Sequence, residues 1–422
     1  MRNARSKSSF RPRWRQRIAG KTGSKNSVLK SVTSLTSDSA YDHEVSAWAK
    51  RVNSAGGAVS NDDLEAVSTF IRTIKASSGL RTKIKRLNLF SGNDLISSLV
   101  PLISDVGPIQ DVNNNFASSE YSSKSGIKNS TGSGNKYLDT GLDLSEGGIS
   151  FSDGHMAINT LGANTSSSYK EWIGRDHAAI GSNKESGKHQ FRWGDHVLYA
   201  DNSNPQQGTC MGFYLGNATS SEVALFVNDH KKVTKAITSN APNNADLSQN
   251  FRVFKRNTGF TAPNDFDQTV NFYSIGLALT DEESKLLYEA VTVFNQKKSR
   301  EIFDAQDIEV WRWANHRIQE SVGDADTHFS QSMVQSADAW MKIVKEKNLR
   351  GRISRTNLFL GKTSSAYAYL TALVPLIVDK GNRVDTNYNF IHSDYTLRDG
   401  LRGDGATKSL DTGVLVSDFA NA

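Results

Sequence analysis

The chain repeats itself, and that repeat restricts its fold more than any other feature. Asn88-Leu89-Phe90 recurs as Asn357-Leu358-Phe359, 269 residues on; Leu99-Val100-Pro101-Leu102 recurs as Leu373-Val374-Pro375-Leu376, and Asn115-Phe116 as Asn389-Phe390, both 274 on. Leu138-Asp139-Thr140-Gly141 returns as Leu410-Asp411-Thr412-Gly413 after 272 residues, and the stretch around Trp48, Phe70 and Lys75 aligns with Trp313, Trp340 and Lys345. Ordered matches with slowly drifting offsets mark a duplicated unit of about 270 residues, so both copies should begin with the same architecture. Unit one runs from about residue 43 to 297, whereas unit two reaches Ala422 just after its first expected strand, 410–416. A lone strand cannot bury its apolar face and presents unpaired backbone groups. Two expectations follow: the polypeptide is a fragment or processed form, or this segment completes a sheet elsewhere by strand addition, in a neighbouring subunit.

In unit one the spacing predicts helices over 43–53 and 61–77. The second opens at Ser60/Asn61, with Asp62 and Asp63 in the first turn, where carboxylates favour the helix dipole. Leu64, Val67, Phe70, Ile71 and Ile74 give it one apolar face, and 326–347 reads the same way in unit two. A basic stretch from Arg81 to Arg86 leads into Leu87, and a further helix is expected from Asp94 to Leu102. Beyond residue 110, short apolar stretches alternate with Gly/Asn/Ser clusters, the texture of a β-sandwich. Expected strands are 147–151, 156–159, 171–174, 190–193, 196–200, 212–216, 222–227, 231–238, 251–256 and 268–275. A helix follows from Asp281 to Lys297, capped by Thr280 with Glu283 three residues on.

Charge isolates the N-terminus. The 422 residues carry 50 Lys+Arg and 44 Asp+Glu, a formal +6, yet residues 1–30 hold ten of the basic groups and no acid, leaving 40 basic against 44 acidic groups beyond them. With few large apolar residues this arm cannot build a core and is expected to be disordered alone. Arg11, Arg13, Arg15 and Arg17 interleave with Trp14, which suits an anchor for an acidic groove or a contact to phosphate backbones; a targeting or solvated tail is the remaining reading. No apolar run approaches the ~18 residues of a membrane span, so a soluble body is expected. The single Cys210 leaves no intrachain disulfide framework.

Two segments resemble a known family. The Gly-rich turn before Tyr137-Leu138-Asp139-Thr140-Gly141, and Asn271-Phe272-Tyr273-Ser274-Ile275-Gly276-Leu277-Ala278-Leu279-Thr280-Asp281-Glu282-Glu283 with its helix to Gln296, resemble the first and last elements of concanavalin A-like (laminin-G-like) jelly rolls, in particular those in virion proteins of tailed bacteriophages. The segment with Asn88-Leu89-Phe90 and Leu99-Val100-Pro101-Leu102, joined through Asn115-Phe116, is similar to the same proteins. The resemblance covers roughly 41–297 and 306–422. It implies a mainly β chain with α: a basic arm (1–40), a helical segment (41–110), a concanavalin A-like β-sandwich, or jelly roll, with a C-terminal helix (111–300), a second helical segment (301–385) and the start of a second, incomplete sandwich (386–422). It further implies a non-enzymatic virion structural protein, a head decoration, fibre or tail appendage, contacting other virion proteins through its arm and helical segments and forming a homo-oligomer. The alternative is an adhesin that binds a host surface glycan, and the fold alone does not choose between them.

Catalytic patterns are sparse. Retaining glycosidases need two carboxylates about 5–5.5 Å apart across the scissile bond, and no expected strand carries a Glu-x-Asp-x-Glu pattern. Asp304, Asp307 and Glu309 have similar spacing but read as a solvated helical linker. His155, His177, His189, His196 and His230 show no metal-helix spacing, and no cofactor is expected; calcium is the alternative, with Asp176, Asp195, Asp201, Asn202, Asn228 and Asp229 as oxygen donors that equally well serve as turn residues. A sugar site needs an exposed aromatic plate beside polar groups. Trp172, Trp193 and Tyr199 with Arg175, Asp176 and Asp195 form the candidate set, Tyr214 and Asn217 lie nearby, and the competing reading places the rings in the core. Cys210 reads as a buried apolar residue. Gly132–Lys136 and its counterpart Gly403–Lys408 read as hairpin turns rather than a phosphate loop, and Arg402-Gly403-Asp404 as a chance tripeptide.

Overall fold

A serine starts the longest helix of the first segment. Ser60 Oγ accepts from the Asp63 backbone N–H while the Asp63 carboxylate accepts from the Ser60 N–H, closing a capping box at the start of α2 (Asn61–Lys75). Helix α1 (His43–Ser54) precedes it, and short turns α3 (Leu80–Lys83) and α4 (Leu95–Ser98) follow. The expected helix over 94–102 is thus a single turn, since Pro101 cannot donate a backbone bond and disfavours helix before it. The computed structural model describes residues 41–422 apart from 130–135, 162–169, 184–187, 202–211, 238–247, 258–267, 301–306, 318–329, 362–367, 383, 397, 416 and 418–422. The arm, with Arg11, Arg13, Trp14, Arg15 and Arg17, lies outside the described residues, as do Cys210 and Asn202.

The strands of unit one are β1 (Ile84–Asn88), β2 (Ile103–Ser104), β3 (Val112–Asn114), β4 (Tyr121–Ser122), β5 (Gly126–Asn129), β6 (Tyr137–Asp139), β7 (Gly154–Leu161), β8 (Lys170–Arg175) and β9 (Ala178–Asn183). They continue as β10 (Lys188–Trp193), β11 (His196–Asp201), β12 (Gly212–Ala218), β13 (Glu222–Val227), β14 (His230–Ala236), β15 (Arg252–Val253), β16 (Arg256–Asn257) and β17 (Gln268–Gly276). One sheet has the order β14-β13-β12-β7-β17-β1-β2, with β5 also on β17 and β4 on β5. The other runs β11-β10-β9-β8-β15-β6-β3, with β16 beside β8. All pairings are antiparallel except β16 with β8. The result is a mainly β chain with helices, built around a β-sandwich of two largely antiparallel sheets.

Sequence and structure part among the strands as well: the short β2–β5 were not expected, and the strand expected over 251–256 is divided into β15 and β16. Residues 147–151 form a turn with one isolated bridge, Ser150 to Asp153. Strand β9 was not expected, because Ala178, Ala179 and Gly181 give it little apolar signal. Strand β1 was not expected either, because a basic stretch with a buried Arg86 hides its alternation.

Two cores result. Between the sheets lie Phe90, Leu138, Met156, Trp172, Phe191, Trp193, Tyr214 and Tyr273; on the far side of the β7 sheet, Ala157, Phe213, Leu215 and Phe272 meet Trp48, Val67, Phe70 and Ile71 of α1 and α2 and Leu287, Val291 and Phe294 of α5 (Asp281–Lys297). Burying each of the larger side chains stabilises by about 1.5–3 kcal/mol. The boundary expected at 110/111 is therefore crossed: β1 pairs with β17, Leu87 facing Ser274 and Asn88 facing Tyr273, and the helices share the second core with the sandwich's β7 sheet.

Unit two rebuilds the opening of unit one. It contains α6 (Ile308–Arg312), α7 (Gln331–Glu346), β18 (Arg355–Thr356), β19 (Ile377–Val378), β20 (Thr386–Tyr388), β21 (Tyr395–Thr396), β22 (Gly400–Leu401) and β23 (Ser409–Asp411), with β18 on β19, β20 on β23 and β21 on β22. Those pairs match β1 on β2, β3 on β6 and β4 on β5. Its core holds Trp311, Trp313, Met333, Val334, Ala337, Met341 and Leu376. Among the described residues no helix is long and apolar enough to cross a membrane.

Candidate functional site

Of the residues expected to form a sugar plate, the structure buries half. Trp172, Trp193 and Arg175 are fully buried, so neither tryptophan can offer a ring face to a ligand, and the plate reading is corrected to core. A bulge decides the case of Trp172. The register of β8 on β9 slips between Glu171 and Ile173, so Trp172 and Ile173 both point between the sheets, with the Trp172 ring 4.5 Å from Tyr214. Trp193 donates from Nε1 to the Phe151 carbonyl (3.1 Å). Its six-membered ring sits where a Cβ on Gly154 would come within 2.4 Å, so glycine at 154 makes room for it.

The polar members sit elsewhere. Asp176, half-buried in the β8–β9 turn, accepts from the His177 backbone N–H (3.1 Å), and Asp195 is exposed in the β10–β11 turn; a bond from Gly194 N to His177 O (2.7 Å) ties the two turns together. Asn228 Oδ1 accepts from Phe213 N (3.0 Å). Among the described residues no group of three or more His, Cys, Asp or Glu side chains lies where it could hold a metal ion.

Tyr199 alone of the candidate rings faces solvent, 48% exposed, and its cross-strand neighbours define a surface the candidate set did not contain. In β10 and β11, Phe191, Trp193, Leu198 and Ala200 enter the core, so Gln190, Arg192, Val197 and Tyr199 face outward. The register runs Tyr199–Gln190–Gly181–Glu171 in one row and Val197–Arg192–Ala179–Gly174 in the next. Glu171 pairs with Arg256 (3.1 Å) on β16. The outer face of this sheet thus carries the exposed Tyr199 with Gln190 and Arg192 half-buried beside it, while Gly174, Ala179, Gly181 and Glu171 of the Glu171–Arg256 pair are buried next to them. The accessible part is the Tyr199 ring, and the flanking Gln190 and Arg192 can donate and accept hydrogen bonds at its edge. The sequence signal lies in the parity of β10 and β11: with Trp193 turned inward, Gln190 and Arg192 must face outward.

Other candidates resolve into structure. Asp307 caps α6, accepting from Glu309 N (2.9 Å), and pairs with Lys345 (2.8 Å), while Glu309 pairs with Arg350; Asp304 lies outside the described residues. The cavity between α5 and unit two is lined by Lys285, Glu289, Arg312, Arg350 and Asp379, and Arg350 and Arg312 are paired with acids there. Asp404, in the Arg402-Gly403-Asp404 turn, accepts from the backbone N–H of Ala406, Thr407 and Lys408, and these bonds with that from the Thr407 hydroxyl hold its carboxyl well below the usual range.

No protein-family profile matches the sequence, and no curated protein matches it significantly. Solved structures with some likeness include a Trypanosoma rangeli sialidase mutant displaying trans-sialidase activity (9% identity, 55% of this chain and 39% of that one, TM-score 0.37). Others are the botulinum neurotoxin serotype D binding domain (12%, 52% and 53%, 0.33) and Ruminococcus gnavus IT-sialidase CBM40 bound to alpha2,3 sialyllactose (17%, 39% and 96%, 0.30). The chain spans about two-fifths of the sialidase's length. At these scores the likeness carries no argument, and the fold rests on the sheet topology itself.

Proposed function

We propose that the chain is a non-enzymatic, lectin-like binding protein whose outer sheet face recognises a glycan. The observation that supports this is the exposed Tyr199 ring with its cross-strand neighbour Gln190 and with Arg192 beside it: an aromatic face flanked by the donors and acceptors that sugar hydroxyls require. A glycan array tests it. Reproducible binding lost on Tyr199→Ala and on Arg192→Ala, with thermal stability kept, is the expected result; silence across neutral and acidic glycans, or binding indifferent to both substitutions, rejects it.

A second reading, a structural component of a tailed-phage virion, is favoured by the resemblance of residues 137–141 and 271–283. The two readings are compatible in an appendage that displays a binding face. The basic arm would then anchor the chain to other virion proteins.

A further inference from the structure

Arginines on the outer face of the β8–β11 sheet differ in one respect. Leu138 and Val253 point into the core, so Asp139 and Arg252 beside them face outward and pair across β6 and β15 (3.4 Å). Arg256 is matched by Glu171 in the same way (3.1 Å). Arg192 has no such match. Among the described residues no carboxylate lies within ion-pair reach of it, Asp195 at the tip of its own hairpin included, and its Nε is a buried donor with no acceptor.

That leaves a half-buried positive charge without a counter-ion beside the one exposed ring of the candidate set. A guanidinium in this setting attracts an incoming anion more strongly than a fully hydrated one does, because the fold has already removed part of its water and less of its field is screened. Its two Nη groups are not among the buried donors that lack a partner. They form the planar fork that can donate to two oxygens of one acid group. Tyr199 stands diagonally from Arg192 across the β10–β11 pair, since Tyr199 faces Gln190 and Arg192 faces Val197. Diagonal neighbours lie roughly 7–8 Å apart, within joint reach of an aromatic and a long side chain. A single sugar can therefore lie on the ring and turn an acid group toward the arginine.

We propose that the Tyr199 face selects acidic glycans. The bound sugar lies against Tyr199, its carboxylate or sulfate ester accepts from the Arg192 fork, and the Gln190 amide bonds a neighbouring hydroxyl. The inference rests on the sugar reading above and adds the charge of the ligand to it.

Matched ligand pairs test it: a glycan ending in a sugar acid against the same glycan with that acid converted to its neutral amide, and a sulfated glycan against its desulfated form. Each is titrated calorimetrically into the 422-residue protein at low and at physiological salt. The expected result is a preference of about ten- to a hundredfold for the acidic member of at least one pair, reduced by added salt. Arg192→Gln should bring the acidic member down to the level of the neutral one, and Arg192→Lys, which keeps the charge without the fork, should retain part of the preference. The pair that shows the preference identifies the acid group. Because the ligand comparison is made on the unaltered protein, a folding defect in a variant cannot imitate it. Equal binding of both members, or a preference that survives Arg192→Gln, overturns the selection and leaves the sugar reading standing; no binding of any member overturns both.

Discussion

A carboxylate survives in a protein interior only among donors, and Asp111 has four: Arg86 Nε and Nη2, Asn88 Nδ2 and Tyr273 Oη. Burial opposes the charge on Arg86, but Tyr273 and Asp111 outweigh it and hold its pKa above the usual arginine range; burial and Asp111 keep Tyr273 a neutral phenol that can donate. Tyr273→Phe should therefore destabilise unit one by about 1.5–3 kcal/mol, measured by chemical denaturation. His155 makes a different prediction. Its Nδ1 faces the Leu277 carbonyl (2.6 Å), which can only accept, so Nδ1 carries the proton and Nε2 accepts from Ser274 Oγ (2.9 Å). Burial lowers its pKa from 6.5 to about 4. A lowered histidine pKa means that the unfolded chain binds the proton first. Its contribution is full above about pH 6.5 and is lost as pH falls toward 4, a change of roughly 3 kcal/mol. Urea titrations from pH 7 to 4.5 should show this slope in the native protein and lose most of it in His155→Asn. Neither role was legible beforehand: His155 and Asp111 are ordinary in sequence, and partners 122 and 162 residues away give them their chemistry.

Helices were the most legible elements, because their signals are local. Helix α5 begins and ends where its capping box and apolar spacing place it, Thr280 Oγ1 accepting from Glu283 N (3.2 Å). The two helices that follow equivalent serines separate a cap from a mere resemblance to one. Ser60 closes a capping box on α2, and its partner Asp63 is held to about 2 because bonds from Lys298, Ser60 and Ser91 outweigh the burial that would raise it. Ser330 precedes α7 with no side-chain cap bond: its hydroxyl lies 2.9 Å from Ser332 Oγ instead, and Met333, where Asp63 stands in α2, has no carboxylate to close the box. Ser60→Ala should cost about 1 kcal/mol and Ser330→Ala close to none, a contrast that paired thermal melts can read. Strands were read less well, for a physical reason: β9 and β1 draw their stability from neighbours on both sides, and a strand of Ala and Gly beside β8 and β10 needs no apolar pattern of its own. The slip in β8 likewise turns Trp172 inward, and a bulge leaves no mark in composition.

At the scale of the molecule the duplication is the organising fact. It extends from sequence into ion pairs: Arg81 bridges Glu44 and Asp105 as Arg350 bridges Glu309 and Asp379, and Trp48 Nε1 donates to the Val100 carbonyl (3.0 Å) as Trp313 Nε1 does to that of Val374 (2.9 Å). The arm belongs to this scale as well. Deleting residues 1–30 should leave the melting temperature of the sandwich unchanged while abolishing incorporation into an assembly; retention in purified assemblies would show that the anchor lies elsewhere. By itself the sequence determined the repeat, the separation of a basic arm from a near-neutral body, the amphipathic helices and the sandwich texture, because each follows from spacing or composition along the chain. The tertiary structure decided that the helices share a core with the far side of the β7 sheet, and that Trp172 and Trp193 are core while Tyr199 faces solvent with Arg192 half-buried beside it. Those outcomes depend on which side of a sheet a residue faces and on what lies against it, and contacts between residues more than a hundred positions apart set both.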